Sequence, residues 1–214
     1  MGTLVGWRFA PRILDLLIRP VGHVVYLSPA EPLMVHLKAA FFGGFILSFP
    51  FLTWEVWGFL RPAFRPLERW SALALLPVSV GLFLFGTWFG WKVLLPAALK
   101  ILLSFGAGLM TPMLTVGSYL SFAGWLIAGC GLVFQVPLVI LFLTWTGLVR
   151  PQTLLRQWRL ATVGILILAA ALTPTPDVFT QLLLAVPLGI LYLLSAGLAL
   201  LSGRSKANGT SPAN

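Results

Sequence analysis

The chain has 214 residues, of which 59% are hydrophobic and 9% charged, with 9 Trp and 16 Phe. A soluble domain carries roughly 25% charged residues, so this composition excludes an ordinary soluble protein and specifies an integral membrane protein. The net charge of +9 would point to nucleic acid in a soluble chain, but here the basic residues flank apolar runs, where topology and anionic lipid account for them and no nucleic-acid partner is expected.

Met1 to Pro20 is punctuated by Arg8, Arg12, Asp15 and Arg19, and a secretory signal peptide needs an unbroken apolar core. Phe9, Ile13, Leu16 and Leu17 recur at helical spacing, which predicts an amphipathic helix lying at the membrane surface. Val21 to Pro32 holds Glu31 and no Lys or Arg; Pro29 and Pro32 make it a rigid non-helical connection on the external side.

The first full span is expected at about 33–60, with Lys38 and Glu55 snorkelling to water from its two ends. Pro50 should kink it, and Gly43 and Gly44 offer close helix contact. Phe59 to Trp70, FLRPAFRPLERW, is a short loop carrying Arg61, Arg65, Glu68 and Arg69 between two spans. Its arginines place it in the cytoplasm. The second span, about 71–95, returns outward; Gly86 and Gly90 form a GxxxG pair suited to helix packing.

Residues 96–117 form an external segment, in which Leu99 to Phe105 reads as a short interfacial helix. The third span, about 119–148, has Gln135 near its middle, just before Pro137. Cys130 is the single cysteine, so no disulfide forms within the chain; it reads as a small buried residue. Arg150, Arg156 and Arg159 mark a second cytoplasmic loop. The spans at 160–172 and 179–201 follow, the first of them only 13 residues long. Between them TPTPD turns outside, with Asp177 placed either as a helix cap or as a functional contact. Residues 202–214 are expected to be a disordered cytoplasmic tail. The fold expected is therefore an all-α integral membrane protein, a kinked, concave, cup-like multi-span bundle. Its last two spans are short, and one transmembrane domain covers 1–201.

Lys and Arg favour the cytoplasmic segments throughout these five spans, except at the N-terminal stretch. The simplest account is a first span that is missing or only partly present.

The motifs SPAEPLMVHLK (28–38), FLRPAFRPLERW (59–70), GSYLSF (117–122), GLVFQVPLV (131–139), LTPTPDVFTQLLLAVP (172–187) and ILYLLSAG (190–197) fall in an order and spacing that resembles TatC. That family is the polytopic receptor subunit of the twin-arginine protein translocase. The resemblance runs from about residue 9 to residue 201; the family's first span and the motif before it find no counterpart.

It implies a non-enzymatic protein of a bacterial or archaeal cytoplasmic membrane, with a cytoplasmic C-terminus and no cofactor or metal. The partners implied are Arg-Arg signal peptides of folded cargo and small single-span subunits of the TatA/TatB type. These drive transport with the proton-motive force, in a larger complex holding further copies of the chain.

Glu68 matches the family's signal-binding glutamate, while Phe59, Pro62 and Arg69 match other positions of that loop. A carboxylate takes a guanidinium bidentately; the alternative is a surface pair of Glu68 with Arg65 or Arg69. Gln135 matches an intramembrane position where glutamate is usual. A polar group mid-span is a functional candidate, although an amide cannot titrate and helix packing also explains it. Gln181 and Asp177 match a partner-binding region, Pro29 and Glu31 the first external loop, and Leu193 stands where the family commonly has glutamate.

Two other classes were weighed. A multi-span secondary transporter calls for inverted repeats and mid-span charge, and an intramembrane enzyme lacks any HExxH or Gly-x-Ser-x-Gly motif, with only His23 and His36 to serve it.

Overall fold

The computed structural model describes residues 28–60, 69–104, 115–149, 151–173 and 177–207, together with Pro11, Leu14 and Leu17. Side chains are described for these except at 60, 69–74, 151, 155 and 201–207. Among the described residues the long apolar runs are helices and no strand occurs, because a helix satisfies its own backbone where no water can.

Helix α1, Glu31–Leu60, is 30 residues long and continuous through Pro50. Its buried positions Val35, Ala39, Phe42, Phe49, Thr53 and Trp57 recur every three, four or seven residues, which is one helical face. Leu33, Leu37, Phe41, Phe51 and Trp54 are equally apolar and face outward. In lipid both faces are hydrophobic, so periodicity alone does not separate them.

Helix α2, Arg69–Phe89, passes without interruption through a π-helical turn, Gly90–Leu94, into α3, Leu95–Ser104. The extra residue appears as Leu95 N–H donating five residues back to Gly90 O. The interfacial helix expected around residues 99–105 is therefore the continuation of the second span. Its Leu95, Ala98 and Leu99 are buried against the protein instead of lying along a membrane surface.

The third span is two helices. Helix α4, Val116–Val133, starts at an N-cap in which Thr115 accepts from Ser118 N–H. It ends at a turn over Phe134 and Gln135, after which α5, Val136–Trp145, begins with Pro in its first turn. Proline has no N–H to give the preceding turn. Helix α5 closes at Gly147, whose φ of +80° is left-handed and suits glycine at a helix C-terminus.

Helix α6, Pro151–Arg156, α7, Trp158–Leu172, and α8, Val178–Ala207, complete the chain. Of the last two spans only α7 is short, at 15 residues. Helix α8 has 30 and reaches Ala207, into the segment expected to be a disordered tail, since its apolar part continues helically into Gly203 and Arg204.

Helix α4 packs between α1 and α2, while α8 packs on α5, α6 and α7. The main core joins these groups: Leu94, Leu120, Leu126, Cys130, Phe134, Leu184 and Leu188 lie in one buried cluster. Cys130 is fully buried, as its place in an apolar run suggests. Leu14 and Leu17 belong to the same cluster, and Tyr119 hydroxyl donates to Leu17 O at 2.7 Å. These N-terminal leucines thus dock into the helix core and do not rest on the membrane surface. Phe9, Ile13 and Leu16 lie outside the described residues.

Among the described residues, four helices are long and apolar enough to cross a membrane: Glu31–Phe59, Leu75–Ser104, Val116–Trp145 and Val178–Leu200.

Candidate functional site

Four places carry the residues singled out in the sequence, and the fold keeps them on different helix pairs. The first is the arginine loop. Helices α1 and α2 pack on each other, which holds their joined ends together and so anchors the loop at both sides. Phe59, at the end of α1, is 83% exposed, presenting a large apolar side chain beside the loop. Arg69 opens α2. Pro62 and Glu68 lie outside the described residues.

The second place is a groove between α1, α2 and the broken third span. Phe49, Leu52, Thr53, Val56 and Trp57 of α1, Ser79 of α2, and Gln135, Leu138, Val139 and Phe142 line a cavity of about 350 Å³. Aromatic contacts build its walls: Phe49 stacks on Phe83 with centroids 3.5 Å apart, and Trp57 meets Phe142 edge-on.

At one end of the groove Gln135 and Ser79 bond twice. Ser79 Oγ–H donates to Gln135 Oε1 at 2.7 Å, and Gln135 Nε2–H donates to Ser79 O at 2.9 Å. Gln135 main-chain oxygen also accepts from Leu138 and Val139 N–H, so this residue closes the helix break on both its backbone and its side chain. Gln135 was legible as a mid-span amide; Ser79 was missed, its one signal being a hydroxyl inside an apolar run.

The third place is the α7–α8 turn. Gln181 Nε2–H donates to Leu166 O at 3.0 Å, which ties α8 to α7. Asp177 Oδ2 accepts from Thr180 N–H at 2.7 Å, the geometry of an N-cap. Asp177→Ala should therefore cost about 1 kcal/mol of stability, with Asp177→Asn close to native. Denaturant titration of the purified protein in detergent checks this.

At the start of α1, Pro29 sits in the turn that precedes the helix. Glu31 Oε1 accepts from Gly117 N–H at 2.9 Å. Lys38 Nζ–H donates to Ser121 Oγ at 2.7 Å and to Gly117 O at 3.3 Å. Lys38 is therefore held by protein oxygens on α4, where snorkelling to water was expected, because the Gly117 carbonyl and the Ser121 hydroxyl lie within reach of its ammonium.

Among the described residues no group of three or more His, Cys, Asp or Glu gathers as a metal site would require. Leu193 is exposed on α8.

Residues 1–187 match the family model described as Sec-independent protein translocase protein (TatC). A TatC of Carboxydothermus hydrogenoformans is 36% identical over 203 residues, covering 93% of this chain and 84% of its own. One from Aquifex aeolicus is 33% identical over 214 residues, covering 96% and 88%. Among solved structures, a crystal structure of the twin arginine translocase receptor TatC superposes with a TM-score of 0.77 at 33% identity, over 94% of this chain and 91% of that one. A second, in DDM, gives a TM-score of 0.79 over 92% and 91%.

Proposed function

The chain belongs to the TatC family, making it a multi-pass protein of the bacterial inner membrane and a subunit of the twin-arginine translocase, and from that premise we propose that it is the subunit that reads Arg-Arg signal peptides. The observation that carries this reading is the loop FLRPAFRPLERW, whose sequence sets a carboxylate among arginines and begins at the exposed Phe59. A single carboxylate offers two oxygens to the planar fork of one arginine, a geometry that a lysine point charge does not fill.

In this reading Glu68 takes a guanidinium of the signal peptide. Phe59, Pro62 and Arg69 shape the loop around it, with Phe59 giving an apolar contact to the residues flanking the Arg pair. The arginines of the loop lie on the cytoplasmic side, which puts the C-terminus there too after the four spans that follow it. Gln135, Gln181 and Asp177 contact the single-span subunits, and Pro29 and Glu31 hold the first external loop. Both amides already bond within the chain, so each meets a partner through the hydrogen-bond capacity left over: one further N–H on each, with one oxygen lone pair on Gln135 and the amide oxygen of Gln181. The role is transport without bond-making chemistry, with the driving force taken from the proton-motive force.

Photo-crosslinking from position 68 to a signal peptide in membranes tests this, comparing Arg-Arg with Lys-Lys peptides. A hydrogen bond to a charged group contributes about 1.5–3 kcal/mol, so Glu68→Ala should weaken Arg-Arg binding by roughly 10–100-fold. Glu68→Ala should leave the weak Lys-Lys binding nearly unchanged. Equal crosslinking to both peptides in the native chain would remove the receptor reading and favour a secondary transporter of a small solute.

A further inference from the structure

At the end of the groove formed by Phe49, Trp57, Leu138 and Phe142, the side chain of Gln135 meets one donor and one acceptor, both from Ser79. The donor is the serine hydroxyl and the acceptor is the serine main-chain carbonyl. A side chain bonded to both must itself accept at one atom and donate at the other. A neutral amide does so. A carboxyl does so only while it carries its proton, because an ionised carboxylate turns a second oxygen toward the carbonyl oxygen and has nothing to donate.

The position in the membrane makes this demand severe. Gln135 precedes Trp145 by about 15 Å at 1.5 Å per residue, close to half of a hydrocarbon core of about 30 Å. Among the described residues the lining of the groove supplies no counter-charge. From α1 the groove is lined by Phe49, Leu52, Thr53, Val56 and Trp57, and from α5 by Leu138, Val139 and Phe142. Glu55 is exposed on α1, and Lys92, near the end of the π-helical turn, lies exposed over Trp91. Cys130 is packed against Gly90, and on α8 the Tyr192 hydroxyl donates to Leu154 O.

We propose that Ser79 determines the specificity of this mid-membrane site, admitting only an uncharged donor–acceptor side chain at position 135 and so keeping the groove an uncharged, apolar seat. Ser79 is a positioning residue, acting through Gln135. The proposal stands independently of the signal-peptide reading, since it concerns which side-chain chemistry the α2–α5 contact accepts.

The test is the pH dependence of thermal unfolding of the full chain in detergent, native against Gln135→Glu, with the native curve subtracted. A carboxyl that is bonded as the neutral acid when folded but ionises freely when unfolded makes the unfolded state bind fewer protons. Stability then falls as pH rises. Gln135→Glu should match the native Tm below about pH 4, where the unfolded carboxyl is also protonated, and fall below it by about 3 °C or more near pH 9. Its infrared spectrum should contain a protonated-carboxyl C=O stretch near neutral pH that the native chain lacks.

Ser79→Ala, which removes the hydroxyl donor, should lower the native Tm, and Ser79→Thr, which keeps it, should restore most of the loss. A purely packing role for Ser79 would leave the pH-dependent loss of Gln135→Glu the same size with and without Ser79→Ala, because burial alone already disfavours the ionised carboxyl. An unchanged loss in that double variant, or the absence of the protonated-carboxyl band, would overturn the proposal.

Discussion

Gly86→Ala and Gly90→Ala should each destabilise the bundle by about 1–3 kcal/mol, and the double substitution should prevent α2 from seating on α4. A Cβ on Gly86 would lie 2.9 Å from Phe134 Cβ and Cγ and 3.0 Å from Cys130 O. A Cβ on Gly90 would lie 3.1 Å from Cys130 Cβ and 3.2 Å from Ile127 Cα. Four of these neighbours are main-chain atoms or atoms fixed directly to them, so they cannot swing aside as the end of a long side chain would.

With no hydrophobic difference between lipid and protein interior, close backbone approach is what drives helix association in a membrane. Losing it removes the dispersion contacts along the whole seam. Gly81→Ala is the control: a Cβ there meets nothing within 4 Å, and alanine favours a helix over glycine by about 1 kcal/mol. Denaturant titration followed by helical circular dichroism should therefore separate Gly86 and Gly90, which lose stability, from Gly81, which gains slightly. Equal behaviour of all three would show that the α2–α4 seam is looser than described.

The second large effect is expected where α1 grips the start of α4. Gly117 is in the first turn of α4, where backbone N–H groups have no helical partner, and Glu31 supplies an acceptor to its N–H. The negative charge also sits favourably at that helix N-terminus. Lys38 binds the carbonyl of the same residue and the Ser121 hydroxyl.

Glu31→Ala leaves the Gly117 N–H without this acceptor and should cost about 1–3 kcal/mol. Lys38→Met should cost about as much, because it removes a charged donor from two oxygens. The two residues converge on one peptide unit, so the double variant should lose less than the sum, with a coupling of at least about 0.5 kcal/mol. Strict additivity in the double-mutant cycle would mean that the two side chains act separately and that the clamp is not a unit.

The membrane class and the order of the apolar runs were legible in the sequence. Both follow from a bulk property of a segment: the solvent of a 20-residue apolar run is lipid. The GxxxG spacing of Gly86 and Gly90 likewise announced a close helix contact, though not with which helix. Gln135 announced itself as a polar group in an apolar stretch, because the cost of an unpaired amide in hydrocarbon makes a partner obligatory.

What the sequence alone determined, then, is where the chain crosses lipid and which of its groups demand partners. Only the tertiary structure decided who those partners are. Ser79 answers Gln135 across 56 positions of sequence and Gly117 answers Glu31 across 86. The π-helical turn at Gly90–Leu94 and the break at Phe134 and Gln135 also appear only there, since local residue preference barely distinguishes them from continuous helix. Leu14 and Leu17 turned inward instead of onto the membrane for the same reason. Leucine is equally at home in lipid and in a protein core, and only the packing of Leu99 and Tyr119 beside them selects the second.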